Sequence, residues 1–294
     1  MKYLISLVFC FASFGQIKAQ NDSVRTDNLL SFKGYISSIS KNFSKQATAP
    51  FHLKGKEYIE AAAIIGTTLA LTTLDGKADD AVKDLRDKSS FVHNVSPVVT
   101  ELGATYGIAG VSALALGGLI FNNTDMAETG LLATQAIITS GVWAQVGKFI
   151  SGRERPFQSY VGTQLPGGKW YGGLVAISNP DNLPASSFNS FPSGHTTTAF
   201  AIATVFAMKY KNCKAVPVTA YTLATIVGAT RMIEHKHWLS DVFAGAVLGH
   251  LCARQVMNSY LGEGKISSKS KNHSSIFIYP DMTNGLGITC RIGL

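Results

Sequence analysis

Phe191-Pro-Ser-Gly-His-Thr-Thr-Thr-Ala-Phe-Ala-Ile-Ala-Thr-Val-Phe-Ala-Met-Lys-Tyr210 is the stretch that decides the fold. From 195 to 210 it is an apolar run far longer than ten residues, with no Gly-Pro or Asn-Gly turn to interrupt it, and such a run reads as a helix rather than a strand. Ser193, just ahead of it, has the chemistry of an N-cap. Five more stretches rich in Ala, Gly, Thr, Leu and Ile, at about 57–74, 104–121, 128–149, 215–232 and 240–257, read the same way. The fold class is all-α, a helical bundle of about six core helices.

Between them, 75–100 reads as a strongly charged loop opening on Asp75-Gly76-Lys77, and 156–192 as a long loop holding Pro166-Gly167-Gly168, Asn179-Pro180 and Pro184. A connection as long as the second is usually functional or a lid. Near the end, Ile276-Phe-Ile-Tyr279 and Leu286-Gly-Ile-Thr289 are β-prone runs separated by Pro280, Asn284 and Gly285, the pattern of a short β-hairpin. The chain divides into a signal peptide (1–19), a polar linker with some amphipathic helix (20–55), a helical domain (56–260) and a tail carrying the hairpin (261–294).

Met1-Lys2, the apolar run to Gly15 and the small residue Ala19 make the N-terminus an export signal. The expected location is the cell envelope: exported, periplasmic or membrane-associated. Cys213, Cys252 and Cys290 remain after cleavage, an odd and widely spaced set that describes neither a disulfide framework nor a metal cluster. Charged residues are 15% of the chain, against roughly 25% in an average soluble domain, and mean hydropathy is +0.16. Composition thus leaves the membrane question open. So does topology: with a cleaved signal, three spans would leave the segments around 150, 193 and 237 on the cytoplasmic side. An exported, membrane-associated bundle avoids that conflict. The net charge of +8 suits anionic lipid or phosphorylated small molecules. No zinc-finger spacing or stacking-aromatic motif points to nucleic acid, and nothing calls for an obligate protein partner.

Three short segments carry the chemistry. In Lys148-Phe-Ile-Ser-Gly-Arg-Glu-Arg155-Pro156, Lys148 ends one apolar helix and Arg155 lies just beyond it, extended by the following proline. In Pro192-Ser193-Gly194-His195, the Ser-Gly amides stand at the positive end of a helix, a ready phosphate cradle, with His195 over it. In Thr230-Arg231-Met-Ile-Glu-His-Lys-His237-Trp-Leu-Ser-Asp241, His237 and Asp241 are spaced i, i+4, so the carboxylate can fix the ring's tautomer and leave the other nitrogen nucleophilic. Each segment alone also fits plain helix capping or a favourable charge at a helix end. His235 and His237 lack a second ligand cluster, so no metal is expected.

In order and spacing, Lys-x6-Arg-Pro, Pro-Ser-Gly-His and Arg-x5-His-x3-Asp together resemble the type 2 phosphatidic acid phosphatase family, which shares its fold with bacterial acid phosphatases and vanadium haloperoxidases. The resemblance covers roughly 55–258 and departs from the motifs at Thr230, where the family usually has Ser. It implies that Lys148, Arg155 and Arg231 bind phosphate oxygens, and that Ser193 and the Gly194 amide complete the cradle. It also implies that His237 attacks phosphorus, that Asp241 orients it, and that His195 protonates the leaving group and then activates water. No cofactor is implied. Arg153 is an extra cation, expected at the mouth of the site. The implied substrate is a phosphorylated lipid: phosphatidate, phosphatidylglycerol phosphate, undecaprenyl pyrophosphate or a lipid A phosphate. A soluble acid phosphatase acting on small phosphoesters, a vanadium haloperoxidase and a non-enzymatic envelope scaffold are the other readings.

Overall fold

Helix α6 (Thr124–Ser151), 28 residues long, runs through the core, and its ends are set by sequence. Asn123 accepts the Met126 amide at 3.1 Å to start it. Gly152, in the left-handed region at φ 50°, ends it. The structure, a computed structural model, describes residues 29–159, 167–173, 184–269, 275–281 and 285–291; the expected signal peptide lies outside them. Before α6 come α1 (Phe32–Thr48), α2 (Lys56–Thr72), α3 (Asp75–Lys88), α4 (Ser90–Thr100) and α5 (Thr105–Ile120). After it come α7 (Gly194–Lys209), α8 (Ala215–Ile233) and α9 (Leu239–Lys269). The backbone of Ser275–Asp281 (β1) pairs antiparallel with Gly285–Arg291 (β2). The bundle is all-α, and each of the six apolar stretches is one of its helices.

The centre is α6 and α9 packed on α7, with Leu132, Ala136, Ala201, Val205, Val256 and Met257 buried between them. Small residues set the spacing. A Cβ on Gly249 would sit 2.2 Å from the Thr197 carbonyl oxygen, and one on Gly245 would sit 2.5 Å from that of Ser193. Backbone therefore meets backbone where α9 crosses α7, which draws the first turns of both helices into one site. The other end of α6, roughly 35 Å away at 1.5 Å per residue, is clasped by Lys209 against Glu128 at 2.6 Å and Asp125 at 3.2 Å.

The segment 75–100 is two helices, not a loop. The buried residues of α3 are Asp75 and Asp79, so its inward face is acidic and apolar periodicity could not reveal it. Its outer charges obey helix rules, with Asp75 in the first turn, Arg86 and Lys88 in the last and Lys88 paired to Asp84 four residues back at 2.7 Å. In 20–55 the helix expected is α1, and it docks through polar groups. Gln46 hydrogen-bonds Thr139, Gln255 and the Trp143 indole, and the buried Asn42 accepts from Gln255.

Among the described residues, two helical stretches are long and apolar enough to cross a membrane, Ser90–Ile120, which runs through a short 3-10 turn, and Ala215–Ile233. Much of the bundle's outer surface is apolar. Helix α2 buries none of its residues, and Ile65, Leu69, Leu116, Ile120 and Val218 are each at least 60% exposed.

Candidate active site

The last turn of α6, the first turns of α7 and α9, and the end of α8 meet at one end of the bundle. Lys148, in the last turn of α6, reaches across to α7, its Nζ only 3.5 Å from where a Cβ on Gly194 would be. Arg155 is held by its main chain, which donates to the Ser187 carbonyl at 3.0 Å, and by its Nε, which donates to Asn189 Oδ1 at 2.9 Å. Arg231, nearly buried at the end of α8, donates from Nη1 to Thr100 Oγ1 at 3.0 Å and to Glu234 Oε2 at 2.7 Å; its Nε is buried with no hydrogen-bond partner. The three cations and both histidines lie within one another's fields. Burial and the neighbouring Arg231 lower the Arg155 pKa to about 10, which leaves it charged at neutral pH. All eight residues singled out from sequence come together here.

His237 is buried, just ahead of α9. Its Nδ1 lies 2.7 Å from the Ser190 carbonyl oxygen. A carbonyl can only accept, so the ring's proton sits on Nδ1, and Nε2 of the neutral ring keeps its lone pair. Asp241 Oδ2 is 3.7 Å from Nδ1, beyond hydrogen-bond length. The i, i+4 spacing suggested a direct bond, but His237 precedes the helix and the pair does not share a helical face. Asp241 instead accepts the Trp238 amide at 2.9 Å and the Ser190 hydroxyl at 2.5 Å. Ser190 therefore joins the two, taking the ring proton on its carbonyl and giving its own to the carboxylate. Burial above all holds the His237 ring's pKa down to about 3, so the ring is neutral at physiological pH.

Ser193 occupies the N-cap position of α7, yet its side chain makes no cap bond. Its Oγ accepts from Thr196 Oγ1 at 2.9 Å, and its amide is spent on the Asp241 carbonyl at 3.0 Å. The cradle thus loses the Ser193 amide but keeps that of Gly194, whose position in the first turn gives it no intrahelical acceptor. Thr230 turns its hydroxyl onto the Val227 carbonyl at 2.7 Å.

Arg153 is not at the mouth of the site. It is 0% exposed, with Nη1 on Asp241 Oδ1 at 2.5 Å, Nη2 on Asp75 Oδ2 at 2.5 Å and on the Gly167 carbonyl at 2.6 Å. Its guanidinium carbon lies over the indoles of Trp170 and Trp238, 4.5 and 5.6 Å from their centroids. A charge so enclosed requires buried carboxylates, and the sequence held them 78 and 88 residues away. His235 points to Asp79, 3.0 Å from its Oδ1, and among the described residues no group of His, Cys, Asp and Glu could hold a metal. Cys213 and Cys252 are free. Beside the site, an open and mostly apolar groove of about 600 Å³ is lined by Gly147, Ile150, Ser151, Trp170, Tyr171 and Phe191, among others.

Residues 129–264 match the PAP2 superfamily model, and that span contains every one of the eight site residues. Over it, the chain is similar to the PAP2 superfamily. It is similar to a lipid A 1-phosphatase of Porphyromonas gingivalis, with 40% identity over 94 residues, which are 31% of this chain and 20% of that protein. It is also similar to a lipid A 1-phosphatase of Rhizobium johnstonii, 39% identical over 38% of this chain and 40% of that one. Lipid phosphate phosphatase 1 of Arabidopsis thaliana is 31% identical over 44% and 45%. The chain thus spans less than half the length of these curated relatives. Among solved structures, Aquifex aeolicus LpxE aligns with TM-score 0.46 and 21% identity over 63% of this chain and 95% of that one. A PAP2 type phosphatidylglycerolphosphate phosphatase from Bacillus subtilis aligns with TM-score 0.48 and 22% identity over 71% and 96%.

Proposed function

We propose that this chain is a metal-independent lipid phosphatase that removes phosphate from a monoester or pyrophosphate through a phosphohistidine on His237. One observation carries the reading: the Ser190 carbonyl holds the Nδ1 proton, so the free lone pair is on Nε2, in a buried site bordered by three cations. Lys148, Arg155 and Arg231 take the phosphate oxygens and offset the charge that spreads over them in the transition state. The Gly194 amide and the Ser193 hydroxyl, whose proton is not used on Thr196, add two more donors. Nε2 bonds to phosphorus as the bond to the leaving oxygen breaks; His195, which burial and Arg231 keep neutral in the free site with its pKa lowered to about 4, takes up a proton beside the bound phosphate's negative charge and gives it to that oxygen. His195, now neutral, takes a proton from water as the water oxygen displaces Nε2 and releases inorganic phosphate.

The lipid part of the proposal rests on the surface. The groove beside the site is lined by Ile150 and Trp170, 65% and 45% exposed, and the neighbouring Phe149 is 61% exposed, an arrangement suited to a headgroup phosphate entering from a bilayer. The names of the matched relatives agree with this substrate class. The bundle is membrane-associated in this reading, with the chain exported to the cell envelope. The test is phosphate release in EDTA from vesicles or micelles of phosphatidate, phosphatidylglycerol phosphate, undecaprenyl pyrophosphate and lipid A, beside a soluble aryl phosphate. Turnover of a lipid, lost in His237→Ala, is expected. Turnover of the soluble ester alone would replace the lipid substrate with a small one. Halide oxidation with vanadate and peroxide, and no phosphate release, would overturn the phosphatase.

A further inference from the structure

Asp75 opens α3, far in sequence from the residues matched to the superfamily, and is 0% exposed. Its Oδ1 accepts the Ser240 amide at 2.8 Å, and its Oδ2 accepts the Ser240 hydroxyl at 2.6 Å and Arg153 Nη2 at 2.5 Å. Arg153 in turn meets Asp241 Oδ1 through Nη1, which also donates to Ser240 Oγ at 2.7 Å. One guanidinium thus serves two carboxylates, all three side chains fully enclosed. We propose that Asp75 is a positioning residue of the reaction, drawing Arg153 partly away from Asp241 so that the carboxylate behind His237 keeps its negative charge. The proposal rests on the phosphohistidine reading above.

The physical case is one of charge balance. A buried ion pair that served packing alone would be neutral, because enclosed excess charge carries a heavy desolvation cost. Among Asp75, Arg153 and Asp241 the excess is one carboxylate, and Asp241 faces the ring where positive charge forms. When Nε2 bonds to phosphorus and Nδ1 keeps its proton, the imidazole becomes cationic, 3.7 Å from Asp241 Oδ2. Were Arg153 paired with Asp241 alone, its charge would cancel the one meant for the ring. Asp75 prevents that, and its two bonds to Ser240 also fix the turn of α9 that carries Asp241. The stabilisation is present before substrate arrives and acts on the charge that develops, the form of electrostatic help that raises kcat rather than lowers KM.

The test is Asp75→Asn, which keeps the shape and removes the charge, followed by rapid alkaline quench with a radiolabelled lipid phosphate and by circular dichroism of the folded protein. Phosphoenzyme formation is expected to slow about tenfold to a hundredfold, with KM changed by less than about threefold. A folded variant that forms phosphoenzyme at the wild-type rate overturns the proposal. A wild-type enzyme that forms no His237-dependent phosphoenzyme overturns the function instead, so the two failures are distinct. If Asp75→Asn does not fold, Ser240→Ala removes one bond of Asp75 and one of Arg153 without removing a charge. It is expected to slow phosphoenzyme formation by about threefold to tenfold at unchanged KM, and a wild-type rate in that variant overturns the proposal as well.

Discussion

The main-chain carbonyl of Ser190 accepts the Nδ1 proton of His237 at 2.7 Å, while the hydroxyl of the same serine donates to Asp241 at 2.5 Å. A backbone acceptor cannot be protonated and cannot rotate away, so it fixes the tautomer more rigidly than a carboxylate alone would. Asp241 is left to act as a nearby charge. Ser190→Ala keeps the carbonyl and loses the hydroxyl. It should therefore preserve a His237-linked phosphoenzyme but lower kcat by about tenfold, measured by phosphate release, whereas His237→Ala should lower it by about 10⁴-fold or more.

His195 has two tasks in the proposed cycle, and they separate kinetically. Replacing it with Ala should slow hydrolysis of the phosphoenzyme more than its formation from a substrate with a good leaving group, because such a group departs without a proton. Alkali-quenched His195→Ala should accordingly hold more label at steady state than the wild type. A lower level of label would assign the water-activating step to another group.

The pKa of His237 is lowered to about 3 in the folded chain, against roughly 6.5 unfolded. The unfolded ring therefore binds a proton between those values and the folded ring does not, so this group makes folding less favourable as pH falls from about 6.5 toward about 3. Urea unfolding at pH 7 and pH 5 should show a loss of stability that is smaller in His237→Gln. The same shift keeps the nucleophile neutral, so its own protonation should not produce an acid limb in kcat/KM near pH 6.5.

Glu234 shares Arg231 with the phosphate that the site is proposed to bind, its Oε2 2.7 Å from Nη1. Burial raises its pKa, so it takes a proton more readily than an ordinary glutamate and then gives up its hold on the arginine. Glu234→Gln should strengthen inhibition by inorganic phosphate and by vanadate by about threefold to tenfold, since an anion no longer competes with a carboxylate. Unchanged inhibition constants would remove Glu234 from the phosphate's surroundings.

Two glycines of α9 should respond in opposite directions. A Cβ on Gly249 would meet the Thr197 carbonyl oxygen at 2.2 Å, whereas one on Gly262 would meet nothing within 4 Å. Gly249→Ala should cost about 1–3 kcal/mol by forcing α9 off α7, and should lower activity with it. Gly262→Ala should stabilise by about 0.4–1 kcal/mol through the unfolded chain alone. Thermal unfolding of both variants checks the pair.

The sequence by itself determined the six apolar helices and singled out eight residues as candidates. Those signals are local: runs of small apolar residues, and short motifs at helix ends whose side chains are named by their own neighbours. It could not determine the helices at 75–100, because the residues α3 buries are the acids Asp75 and Asp79, and burial of a charge depends on a partner that is remote in the chain. Arg153 is that partner for Asp75, and its burial likewise follows from carboxylates on α3 and α9. The bond between Ser190 and His237 was hidden for a related reason. Any residue's carbonyl can accept a proton, so no side chain announces it, and only the packing of the loop before α7 against the start of α9 brings that carbonyl to the ring. Residue types fixed which chemistry was available; the tertiary structure decided which nitrogen is free to perform it, because tautomer and charge depend on long-range contacts.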